Sequence, residues 1–299
     1  MANWGTQGAG QFTATTYSDV HPAIDPTQNQ LPARLVVCVI GASRGIGAGI
    51  AAAYAKAGVG ALVLAARRTS GLEETASVCR AINPRATVAV IPTDITSAQS
   101  VSDLAGRVQS QFNRLDALAI NSGYSGPCIV NLTDVDPITA RQASEVNYLG
   151  TLFAAKYFIP LLLDNPDGAK IFIAVSSMAS LIVRGPIANA QYCVSKMAQL
   201  KLMEHIHEKY SGQGLSAYSV HPGAVASEMA LDNTPESFME YLVDSPELCG
   251  AFCTWLTAGG DKMRWLSGRL LSAKWDVAEL ELRQEEIASK DILKTKLAV

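Results

Sequence analysis

Histidine is scarce in this chain of 299 residues, with four in all, and its six cysteines form no C-x-x-C pair. Protein metal centres draw on clustered His and Cys at fixed spacing. Here His205 and His207 lie two apart on a helical stretch and point to different faces, while Cys249 and Cys253 supply only two thiols. No metal centre is expected. Without a disulfide framework, the cysteines fit a reduced, cytoplasmic setting. Charge is also sparse, at 17% of residues, and nearly balanced at 24 basic to 27 acidic. The basic residues are dispersed, which argues against nucleic acid as a partner. No Lys or Arg precedes Arg34, so the pattern of a signal peptide is missing. The most apolar long stretch, LFAAKYFIPLLL, is broken by Lys156 and Pro160 and is too short to span a bilayer. A soluble protein without a membrane partner is expected.

What the chain has instead is short apolar runs at regular intervals. They fall at 35–40, 61–66, 87–91, 115–120, 170–175, 215–220 and 268–273. Continuous apolar runs of this length suit strands buried on both faces. Helical stretches lie between them; one places Val101, Leu104, Val108 and Phe112 on a single face. This alternation predicts an α/β fold, a single-domain Rossmann-like, doubly wound parallel sheet of about seven strands with helices on both faces. The domain is expected over 35–275. A polar N-terminal extension (1–34), loose or packed over the surface, would precede it, and a charged C-terminal tail (276–299) would follow as a surface helix.

The first apolar run leads into GASRGIG, residues 41–47, and then into an alanine-rich helical stretch. A glycine turn between a strand and a helix offers unpaired N–H groups and partial positive charge to a pyrophosphate. Alone it is weak evidence, because a tight turn can need glycine for packing. The second run sharpens it. An acid at its end would bind the ribose 2′-hydroxyl of NAD, but here Ala65 and Ala66 are followed by Arg67 and Arg68, with Arg44 inside the glycine turn. Cations there suit the 2′-phosphate of NADP(H). A third element is Tyr192 and Lys196, four apart on one helix face. A neighbouring ammonium would lower the phenol pKa from about 10 toward the range useful for acid–base work.

With these residues in place, the chain resembles the short-chain dehydrogenase/reductase family over about residues 35–275. That family uses T-G-x-x-x-G-x-G, matched here by Gly41, Ser43, Arg44, Gly45, Ile46 and Gly47, with Ile40 in place of Thr. The resemblance implies cofactor contacts from Asp94 to the adenine and from Asn121 and Gly123 after the fourth strand. It also implies contacts from Pro222, Gly223, Val225 and Ser227 to the nicotinamide amide. It implies Tyr192 as acid/base, Lys196 as ribose ligand, Asn147 as the residue ordering a water near the lysine, and Ser177 as the substrate-oxygen ligand. Ser177 stands fifteen residues before Tyr192 where thirteen is usual, so Ser176 and Ser180 are rival candidates. The polar N-terminal extension and the C-terminal end look similar to fungal reductases. Family members are commonly dimers or tetramers, so a homo-oligomer is implied.

A substrate lid is expected over about 226–266. Its Met229, Leu231, Phe238, Met239, Tyr241, Leu242, Phe252 and Trp255 would face Met178, Val183 and Ile187. Such walls suit an apolar carbonyl or alcohol substrate, such as a secondary metabolite. Hydride transfer is the leading expectation. A same-fold elimination, epimerisation or reductive cyclisation, or a non-catalytic NADP(H)-binding regulator, are the alternatives.

Overall fold

The computed structural model describes residues 11–297. Its strands are β1 (Val36–Ile40), β2 (Ala61–Ala66), β3 (Thr87–Pro92), β4 (Ala117–Ile120), β5 (Ile171–Val175), β6 (Ser216–His221) and β7 (Leu270–Ser272). Each lies inside one of the apolar runs or within a residue of its ends. The first helices are α1 (Gly45–Lys56), α2 (Thr69–Ile82), α3 (Ala98–Phe112), α4 (Pro137–Ser144) and α5 (Gly150–Leu163). They are followed by α6 (Ala190–Tyr210), α7 (Glu228–Asn233), α8 (Glu236–Met239), α9 (Pro246–Gly259), α10 (Val277–Leu282) and α11 (Gln284–Ser289).

The strands form one seven-stranded parallel sheet in the order β3-β2-β1-β4-β5-β6-β7. The chain winds outward in one direction to β3, then returns past β1 to begin β4. That reversal opens a crevice beyond the carboxyl ends of β1 and β4, where ligands bind in such sheets. Two apolar clusters fill the two faces, because alternate residues of each strand point opposite ways. Val37 and Val39 of β1 join one cluster, Val36, Cys38 and Ile40 the other.

The continuous helical segment Pro137–Leu163 is long and apolar enough, by length and composition, to cross a membrane. Here it serves the second cluster: Ala154, Phe158, Ile159 and Leu162 are buried within it. The stretch passes through one π-helical turn, Glu145–Leu149, which contains Asn147.

The described part of the N-terminal extension is a strap. Thr16 bridges to Trp275, the Tyr17 N–H donates to Lys274 O at 2.7 Å, and the Ser245 N–H donates to Ser18 O at 2.7 Å. Phe12 packs on the fully buried Trp275 with ring centroids 5.2 Å apart. The chain after β7 forms the two short helices α10 and α11, which bury Val277, Leu280 and Ile287.

The expected lid is shorter than 226–266. Phe252 and Trp255 lie on α9, a helix buried nearly throughout, and they belong to the first core cluster. Their apolar periodicity reflects packing against α1, where Gly49 lets α9 approach so closely that a Cβ would stand 2.4 Å from Pro246 O. Only the stretch from Ser227 to about Ser245 overhangs the crevice.

At the opposite end of the sheet a buried carboxylate aligns the strands. Asp116 accepts the Val36 N–H at 2.8 Å, both Arg114 donors at 2.7 Å and Asn165 Nδ2 at 3.1 Å. It thereby holds β1 beside β4, the two strands whose far ends open the crevice. Removing one partner of such a network strands the rest in a dry site. Asp116→Ala is therefore expected to lower unfolding free energy by about 3–5 kcal/mol, measured by urea denaturation.

Candidate active site

The glycine turn sits at the carboxyl end of β1. Gly41 has φ +90°, a conformation that strains any side chain, and a Cβ there would meet Ser122 N at 2.5 Å. A Cβ on Gly47 would come within 2.0 Å of Gly41 O and 2.6 Å of Asn121 Nδ2. Both positions thus admit glycine alone. Asn121 secures the crossing by donating Nδ2 to Gly41 O at 3.0 Å. Across the crevice, Ser227 Cβ would stand 3.9 Å from a Cβ on Gly45, so the glycine turn faces the turn that follows β6. There Gly223 adopts φ +99°, and Ser227 caps α7 by accepting the Ala230 N–H. Pro222, Val225 and Ile46 line the same space.

Arg44 lies half-exposed at the helix entrance, near Arg67 and Arg68. Its guanidinium pKa is lowered, first by burial, then by the Arg68 cation and further by Arg67, against the pull of Asp232. Arg44 and Arg68 both pair with Glu228 on the first turn of α7. The residues present fit a phosphate-bearing dinucleotide: a side-chain-free cradle with a cluster of cations beside it. Asp94 stands in the loop after β3, where its Oδ1 accepts from the N–H and hydroxyl of Thr96.

The expected catalytic residues converge on one wall. Tyr192 opens α6 behind an Asn189 cap, and the Ser177 hydroxyl acts to lower its phenol pKa. Of the three candidate serines, Ser177 is the one with this influence on the tyrosine. Ser177 Oγ accepts the Ala179 N–H at 3.1 Å, and its carbonyl accepts the Ser180 hydroxyl at 2.7 Å. Ser176 Oγ is buried with no partner among the described residues. The segment between Ser177 and Tyr192 begins with the 3-10 turn Met178–Leu181.

One expectation needs correction. Lys196 does not depress the phenol pKa here: Tyr192 is pushed up to about 12, first by burial, with the Ser177 hydrogen bond opposing. Lys196 Nζ instead donates to Val175 O at 2.9 Å and Gln199 Oε1 at 3.0 Å, 6.0 Å from the Tyr192 ring centroid. Its own burial lowers it to about 7. Both amide protons of the Asn147 side chain are engaged. Its Nδ2 donates to Tyr124 O and Ser195 Oγ, both at 2.8 Å, while Oδ1 accepts the Tyr124 N–H at 2.9 Å. Asn147 is therefore a brace between α6 and the loop after β4. Gly123 lies in that loop, and a Cβ on it would be 3.9 Å from Lys196 Nζ.

A largely apolar cavity of about 400 Å³ lies between Tyr192, the turn after β6 and the segment Ser227–Asp244. Met178, Ile187, Met229, Phe238, Tyr241 and Leu242 line it as expected. Val183 does not, since its side chain is 81% exposed. His221, Asp244 and Lys274 complete the wall and had not been anticipated. His221, which immediately precedes Pro222, could have been found from its place beside that motif. Asp244 and Lys274 stand thirty residues apart and offered no pattern.

His221 Nδ1 accepts the Met178 N–H at 3.3 Å, tying β6 to the Ser177 turn. Burial lowers its pKa to about 4, with Asp244 opposing and Lys274 assisting. Because the unfolded imidazole titrates near 6.5, its contribution to stability is complete above about pH 6.5 and is lost as pH falls toward 4. His221→Asn, which keeps an acceptor near the Nδ1 position, is expected to flatten stability between pH 6.5 and 4.5, read from urea midpoints at each pH. An unchanged slope would contradict this assignment.

The short chain dehydrogenase family model matches residues 35–237. Short chain dehydrogenase mpl6 of Monascus purpureus is 40% identical over 291 residues, which cover 96% of this chain and 97% of that protein. Short chain dehydrogenase pgmD of Aspergillus terreus is 34% identical over 309 residues, covering 100% and 96%. Among solved structures, a short chain dehydrogenase from Pseudomonas syringae, described as putative, superposes with a TM-score of 0.72 at 28% identity, covering 82% of this chain and 98% of that one. A Shigella flexneri structure described in the same way, in complex with NADP, gives a TM-score of 0.72 at 24% identity, with coverage of 82% and 99%. The crevice, the tyrosine–lysine helix and these relatives together place the chain in the short-chain dehydrogenase/reductase family, a family of nicotinamide-dependent oxidoreductases.

Proposed function

We propose that the protein is an NADP(H)-dependent oxidoreductase that transfers hydride between nicotinamide and a carbonyl or hydroxyl of an apolar small molecule of the secondary-metabolite type. The observation that carries this reading is that Tyr192 and Ser177 stand together on the wall of an apolar cavity that the turn after β6 also lines. The preference for NADP(H) is supported by Arg44, Arg67 and Arg68 and by the lack of an acid at the end of β2, where Ala65 and Ala66 stand. A structural neighbour in complex with NADP points the same way. Six free thiols suit a cytoplasmic location.

When bound, the cofactor supplies the hydride that reaches the carbonyl carbon. The chain supplies orientation and the proton. Gly41, Ser43, Gly45, Ile46 and Gly47 would hold the pyrophosphate, and Asp94 would serve the adenine. Asn121, Gly123 and Lys196 hold the ribose beside the nicotinamide, whose amide is cradled by Pro222, Gly223, Val225 and Ser227. Ser177 accepts the Ala179 N–H, which leaves its own O–H to hold the substrate oxygen. Tyr192 passes its phenolic proton to that oxygen, and burial keeps the phenol protonated until then. Asn147 acts through Ser195 and Tyr124, fixing α6 against the loop after β4.

Tyr192→Phe removes the proton donor and leaves the glycine cradle and the arginines intact. Turnover of a ketone panel is expected to fall by about 10²–10⁴-fold, with NADPH affinity unchanged in a fluorescence titration. Full activity in this variant would overturn the mechanism.

A further inference from the structure

Most of the cavity is hydrocarbon, but the side formed by the ends of β6 and β7 is not. His221, Ser272 and Lys274 line it beside Asp244. Both oxygens of the Asp244 carboxylate are engaged. Its Oδ2 accepts the Ala224 N–H at 2.6 Å, while Oδ1 pairs with Lys274 Nζ. The pair is well buried, with side-chain exposures of 1% for Asp244 and 19% for Lys274.

Two donors here have hydrogen-bonding capacity left over. Lys274 Nζ carries three protons; one goes to Asp244, a second to Ser18 Oγ at 3.3 Å, and the third meets no acceptor among the described residues. His221 Nδ1 accepts the Met178 N–H, which places the imidazole proton on Nε2, and that N–H also finds no acceptor among the described residues. Ser176, also on the wall, holds a buried hydroxyl with no partner among the described residues. The His221 and Lys274 donors are open to the cavity, where a ligand oxygen can take the place of water. The charges favour a neutral oxygen over an anion. Lys274 is neutralised by Asp244, and the ring of His221, whose buried pKa is about 4, stays neutral near pH 7. An incoming carboxylate would gain no net countercharge.

We propose that His221 Nε2–H and Lys274 Nζ form a recognition point for a second, neutral oxygen of the substrate, so that the pocket selects apolar ketones bearing a further carbonyl or hydroxyl oxygen. The proposal rests on the oxidoreductase reading above and names its substrate class. Selection by a hydrogen-bonding site is far sharper than selection by apolar contact. An analogue lacking the oxygen leaves the site's own donors unpaired.

Binding separates this proposal from the reaction itself. The probes are 1-decalone, decalin-1,5-dione and 5-carboxy-1-decalone, titrated calorimetrically into the protein with saturating NADP⁺, which cannot reduce them. The dione is expected to bind at least about tenfold more tightly than the monoketone, and the carboxylate no more tightly than the monoketone. Lys274→Met alone would leave Asp244 buried and unpaired, so the test uses Asp244→Asn/Lys274→Met, in which the amide oxygen still accepts the Ala224 N–H. His221→Asn retains the acceptor for Met178 and removes the Nε2 donor. Thermal unfolding establishes that both variants are folded. Each is expected to shrink the preference for the dione, and the two combined to abolish it. Equal affinities for dione and monoketone in the wild type, tightest binding by the carboxylate, or an undiminished preference in the folded variants would overturn the proposal. A clear preference for the dione without turnover by NADPH would instead overturn the reduction reading and leave the recognition point standing.

Discussion

The site depends on how closely two backbone segments approach at the carboxyl ends of β1 and β4. The Asn121 amide reaches the carbonyl of Gly41, and the first turn of α1 passes over them at Gly47 with no room for a single extra carbon. Parallel strands β1 and β4 run side by side, so their ends diverge only where the chain reverses its winding. The crevice is thus a product of topology, and the glycines keep it open to a ligand. Everything on the substrate side is measured from this point: α6 with Tyr192 and Lys196, the turn after β6, and the lid beyond it.

The polar groups near the site divide into those already satisfied and those that are not. Asn147, Lys196, Gln199 and Ser195 form a connected buried set whose hydrogen bonds run from the loop after β4 through α6 to the end of β5. Such a set rigidifies the helix that carries the tyrosine. One Lys274 proton and the His221 Nε2–H, together with the Ser176 hydroxyl, still lack acceptors among the described residues. The first set builds the site; the second faces what enters it. The N-terminal strap belongs to the same construction, since Ser18 touches both Lys274 and the start of α9.

Much of this was legible before any coordinates. Apolar runs of five or six residues mark strands buried on both faces, and the alternation with helices dictates a parallel sheet. The glycine spacing and the Tyr192–Lys196 pair were legible because short-range geometry carries them. What could not be read depends on contacts distant in sequence. Phe252 and Trp255 have the same amphipathic signature whether they face a ligand or a neighbouring helix, and only the α1–α9 packing decides. The Asp244–Lys274 pair and the Asp116 network join residues from separate elements, with no periodicity to betray them. The influence of Lys196 on Tyr192 was misjudged because proximity along a helix does not say where a flexible ammonium points. Nζ turns to Val175 O and Gln199, and burial then governs the phenol.

The central claim is that hydride passes from NADPH to a carbonyl carbon in this crevice. The most direct measurement supplies the protein with NADPH deuterated at the reactive C4 position, an equal concentration of unlabelled NADH, and a bicyclic ketone. Mass spectrometry then reads the alcohol product. The account predicts one deuterium on the carbinol carbon, because the arginines beside the glycine turn select the phosphorylated cofactor. An alcohol without deuterium, or a product formed with no nicotinamide oxidised, would contradict it.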